Sequence, residues 1–81
     1  MPSLEDVNAF ERARQLHLAV VAAYSTRIGA AASAEEAARL RGRCASLLAE
    51  RQTLDPRDRE RVRDIIAQFP GLLAAVRAGA Q

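Results

Sequence analysis

The chain has 81 residues, is about half apolar, and carries twelve basic against ten acidic side chains for a net charge of +2. That length admits one small domain, able to bury roughly 60–65% of its unfolded surface and to draw only about 3–5 kcal/mol of net stability from a single core. Cys44 is the only cysteine and His17 the only histidine, which excludes an internal disulfide and a Cys/His metal cluster.

All the basic residues are arginine, a bias that points to a GC-rich bacterial genome rather than to chemistry. The sequence pI near 9.5 reflects the persistence of arginine charge to high pH. A polyanion-binding protein carries a larger and more clustered excess. The first residues are acidic rather than leader-like, and the uncharged run 15–26, which none exceeds in length, is too short to span a bilayer. The expectation is a soluble, cytoplasmic protein making no use of a membrane.

Ser3, with Asp6 three residues on, forms a capping box that starts a helix over about 4–28. At 100° per residue, Val7, Phe10, Ala13, His17, Val20, Val21, Tyr24 and Ile28 share one face. The opposite face is polar up to Gln15 and then apolar, with Leu18, Ala19 and Ala22. Residues 16–24 are therefore apolar all round except for His17, the pattern of a helix covered on several sides. Gly29 is read as the stop.

A short link then favours an antiparallel neighbour. Ser33 with Glu36 reads as a full capping box, opening a helix over about 34–53. Its stripe is Ala37, Leu40, Cys44, Leu47, Arg51 and Leu54, in steps of three and four, with the Arg51 stem packing while its head reaches water. Gly42 lies on the far side and costs up to about 1 kcal/mol against alanine.

Asp55 as cap and Pro56 as first helical residue predict a third helix over about 56–69, with Val62, Ile65, Ile66 and Phe69 as its apolar face. Pro70 and Gly71 are read as a break, followed by a short fourth helix over 70–78 that Arg77 and Gly79 close. Residues 80 and 81 are expected to fray. The chain is thus read as one helical domain, 1–81: an all-α, three- to four-helix bundle built on an antiparallel helical hairpin, with the later helices packed across it.

No residue pattern carries catalysis. His17 and Cys44 lie on facing apolar stripes, where a buried imidazole and a small hydrophobe explain them without a nucleophile–base pair. Glu35, Glu36, Asp55 and Asp58 belong to helix caps, and no phosphate loop or metal spacing occurs. The chain is read as a non-enzyme with no catalytic residues, cofactor, metal or small-molecule ligand.

The apolar supply exceeds what so short a chain shelters easily, which points to an interface. The expected function is a protein–protein interaction or oligomerisation module, a small accessory protein acting with a larger partner or as a homo-oligomer, a dimer first. The candidate interface is Leu16, His17, Val20, Val21, Tyr24, Ile28, Leu72, Leu73 and Val76, with His17 as a pH-sensitive contact. Arg57, Arg59, Glu60, Arg61, Arg63 and Asp64 form a candidate polar contact face. The alternative is a nucleic-acid-binding protein using the arginine-rich 39–63 region. It is disfavoured because, over 51–64, five arginines meet four carboxylates for a net of only +1.

Overall fold

The computed structural model describes residues 3–79, which form three helices: α1 (Leu4–Gly29), α2 (Ala34–Thr53) and α3 (Arg59–Arg77). α1 starts on the expected box: the Ser3 hydroxyl accepts from the Asp6 amide at 3.1 Å, and the Asp6 carboxylate accepts from the Ser3 amide at 3.3 Å. At α2, the Ser33 hydroxyl caps the Glu36 amide, but the Glu36 carboxylate takes the amide of Ala32 instead of that of Ser33. The box there is closed one residue outside the helix. α1 ends at Gly29 without a left-handed residue; among the described residues the only positive φ belongs to Gly79, at 79°, just past the end of α3.

The start of α3 differs from the sequence reading. Asp55 spends its side chain on the Arg57 amide at 2.8 Å, closing a turn over Pro56 and Arg57. Asp58 becomes the cap, accepting from the Arg61 amide at 3.2 Å. The break expected at Pro70 is absent, and α3 runs through it to Arg77. Val62, Ile65, Phe69 and Val76 are all buried on one continuous face. Docking both halves of that face on α1 outweighs the one backbone hydrogen bond that an exposed proline removes.

α1 is the central element, in contact with both α2 and α3, whereas the α2 and α3 backbones do not approach one another among the described residues. α2 is antiparallel to α1: Val21 meets Cys44, His17 meets Glu50 and Arg14 meets Arg51. α3 does not cross the hairpin but runs parallel beside α1, since Asp6 meets Arg59, His17 meets Phe69 and Arg27 meets Gly79. The core between them holds Ala13, Val20, Tyr24, Leu40, Ile65 and Val76.

The molecule measures 47 × 21 × 15 Å. A close triangle of helices spaced about 8–10 Å apart would be nearly as thick as it is wide. The unequal cross-section and the separation of α2 from α3 instead place α1 at the corner of an open angle. α2 and α3 thus flank α1 with a gap between them.

Two flanking helices do not envelop α1. Leu18 is 40% exposed and Ala22 is exposed, so the side expected to be covered lies open.

Candidate functional site

Two features stand out: a charged cluster where all three helices meet, and the cleft that continues from it between α2 and α3. The cluster is built on His17, whose position on the inner face of α1 leaves it fully buried. Its Nδ1 lies 3.1 Å from the Ala13 carbonyl and its Nε2 lies 2.8 Å from Glu50 Oε1 on α2. Glu50 also receives a two-pronged grip from Arg61 of α3, Nε to Oε2 at 2.6 Å and Nη2 to Oε1 at 2.7 Å. Phe69 closes the group from α3, edge-on to the imidazole at 4.9 Å and beneath the Arg61 guanidinium at 5.8 Å.

The Arg61 guanidinium, aided by His17, holds the Glu50 carboxyl below its ordinary value against the opposing effect of burial. The same pair raises the affinity of Arg61 for its proton. Glu50 is thus the carboxylate, and both His17 nitrogens face acceptor oxygens. His17 and Arg61 thus converge on one carboxylate at the junction of three helices. With both nitrogens engaged, His17 offers nothing to Cys44, whose thiol instead donates to the Val21 carbonyl at 3.7 Å.

Beyond this cluster the space between α2 and α3 opens into a cleft of about 520 Å³. Tyr24, Leu47 and Leu72 form its apolar floor, while Arg39, Gly42, Arg43 and Ser46 of α2 line its side. Arg39 and Arg43 have no carboxylate within 4.0 Å among the described residues; the ion pairs present involve Arg14, His17, Arg57, Arg59 and Arg61. A second, smaller hollow of about 130 Å³ lies at the other end of the molecule, over Ala9, Val62 and Ile66 beside the Asp6–Arg59 pair.

Comparison with known protein families, curated proteins and solved structures returns no match. The residues themselves must carry the reading.

Of the candidate interface, His17, Val20, Tyr24 and Val76 are buried in the chain's own core and present almost no surface to a second chain. Leu16, Val21, Ile28, Leu72 and Leu73 are half-buried against that core. Because α1 is flanked by two helices of the same chain, His17 is an internal contact rather than part of a seam. The candidate polar face also divides. Arg59 pairs with Asp6 at 2.8 Å and Arg61 turns inward to Glu50, leaving Arg57, Glu60, Arg63 and Asp64 exposed.

Sequence reasoning missed Glu50, which lies 33 residues from His17 and beside the α2 stripe rather than on it. Its only signal was a carboxylate on the flank of a stripe facing a lone histidine. Arg39, Gly42 and Arg43 were seen as an arginine run and a costly glycine, not as one wall of a cleft. No helix of the described residues is long and apolar enough to cross a membrane, and among them no group of His, Cys, Asp or Glu is gathered for a metal ion.

Proposed function

We propose that the chain is a non-enzymatic protein–protein interaction module, a small cytoplasmic accessory protein that receives a helix from a larger partner between α2 and α3. The observation that carries this reading is the gap between α2 and α3: both pack on α1 and leave an apolar-floored cleft between them. A helix laid there would cover Leu47 and Leu72 and complete a four-helix arrangement. A second copy of the chain is the other occupant that the apolar supply allows.

A photo-crosslinking residue placed at Ser46, on the cleft wall, tests the reading in the native cell. A discrete protein adduct is expected from Ser46 and none from Gln15, which is exposed on the far side of α1. Absence of an adduct specific to Ser46 overturns the proposal.

A further inference from the structure

We infer that the occupant of the α2–α3 cleft is an acidic amphipathic helix, held by apolar anchors on Leu47 and Leu72 and by carboxylates on Arg39 and Arg43. The inference rests on the interaction reading above and names the chemistry of its partner.

Charge comes first. Arg39 and Arg43 are four residues apart on α2, line the cleft together, and lack a carboxylate partner among the described residues. Like charges at this spacing weaken a helix, a cost that a carboxylate docked between them removes. Of the acidic side chains nearby, Glu35 is exposed one turn before Arg39 and makes no ion pair with it, and two others are engaged elsewhere. Glu36 caps the Ala32 amide, and Glu50 holds His17 and Arg61.

Shape agrees. From Arg39 to Leu47 the wall rises about 12 Å, a little over two helical turns, enough for two or three anchors spaced three and four apart. The Glu50–Arg61 bridge closes the cleft at its other end and so limits how far the occupant reaches. Gly42 sits in the wall between the arginines, with nothing within 4 Å of where a Cβ would stand. A glycine in a helix interior is unfavourable by itself, and here it lets another backbone approach α2 closely.

The floor argues against nucleic acid. It is aliphatic, and its one aromatic ring, Tyr24, is 1% exposed and offers no face for a base to stack on. Two arginines beside an apolar floor suit a helix with carboxylates at its margins, not a phosphate chain.

The test reverses charge in the chain carrying the Ser46 crosslinker. Arg39→Glu with Arg43→Glu is expected to lower the yield of the adduct at least tenfold. Arg12→Glu with Arg41→Glu, the same change in net charge at exposed positions outside the cleft, is expected to leave it within twofold. Gly42→Leu is expected to abolish the adduct, and thermal unfolding by circular dichroism verifies that each variant is folded. The crosslinked peptide, sequenced by mass spectrometry, is expected to carry an excess of Asp and Glu around apolar residues at helical spacing. An adduct that survives reversal in a folded variant, or a peptide without acidic excess, overturns the acidic helix while leaving the interaction reading intact. Crosslinking to nucleic acid or to another copy of this chain overturns it as well. No adduct at all from the wild-type chain removes the interaction reading and this inference together.

Discussion

Glu50→Ala is the perturbation that most directly tests the three-helix junction. The substitution removes the acceptor for His17 Nε2 at 2.8 Å and for two Arg61 contacts at 2.6 and 2.7 Å. These losses are not equal. The Arg61 side chain is 36% exposed and recovers water as its partner, whereas His17 is fully buried and cannot. Stranding a buried donor costs about 1–3 kcal/mol, and the partly exposed Arg61–Glu50 pair adds up to about 1 kcal/mol. A total near 2–3 kcal/mol corresponds to a fall in Tm of roughly 10–20 °C for a chain of this size. Circular dichroism melts at neutral pH read it directly.

The acid limb of the same experiment has a defined sign. The Glu50 carboxyl is held below its ordinary value of 4.5 in the folded state, chiefly by Arg61. Its contribution is therefore full above that value and is lost as pH falls through the lower folded one. Glu50→Gln should show a flatter fall in Tm below pH 4.5 than the wild type. Asp6, lowered from 3.8 by Arg59, retains the same sign in both proteins and leaves a residual slope. A Glu50→Ala variant within about 0.5 kcal/mol of wild type at neutral pH would refute the assignment of the cluster as a structural tie.

Three further substitutions test the backbone. Gly42→Ala is expected to stabilise the isolated chain by about 0.5–1 kcal/mol, since alanine is the better helix former and its Cβ meets nothing within 4 Å; an unchanged or lower Tm contradicts this. Gly79→Ala is expected to destabilise by about 1–2 kcal/mol, because φ there is 79° and a Cβ would stand 3.1 Å from Arg27 Nη2; denaturant titration reads the shift. Pro70→Ala restores a backbone donor inside α3. Helix propensity gains about 3 kcal/mol, less about 1 kcal/mol for the freedom returned to the unfolded chain, so a net rise near 2 kcal/mol is expected by the same titration.

The all-α bundle and its antiparallel hairpin were legible in the sequence because their signals are local. Ser3 with Asp6 and Ser33 with Glu36 mark helix starts within a few residues, and the all-round apolar run 16–24 marks the helix that two others touch. The misread points are those where a distant contact decides. Pro70 and Gly71 carry every local mark of a break, yet Phe69 and Val76 are both buried, one on each side of them, and that packing carries the helix through. Asp55 and Asp58 are both good caps by type. The turn over Pro56 consumes the first and leaves α3 to the second, which also brings Arg59 to Asp6 and Arg61 to Glu50. His17 was recognised as unusual, but its meaning lay in Glu50 and Arg61, which no periodicity links to it.

The openness of the fold is itself written in α2. The stripe Ala37, Leu40 and Cys44 points at α1 and is buried there. The flank of α2 that faces α3 carries Arg39, Arg43, Ser46 and Glu50 in succession. Only Glu50 finds a partner on α3, and only near the turn at 54–58, where the two helices begin to separate. Drawing α2 onto α3 along the rest of their length would bury two guanidinium groups with no carboxylate to meet them, a desolvation cost that the few apolar contacts of Leu47 with Leu72 could not offset. The chain therefore holds together at one end through a compensated charge cluster and stands apart at the other through two uncompensated charges. The second condition would be relieved by a carboxylate brought from outside the cleft, which is the charge that the proposed partner helix would supply.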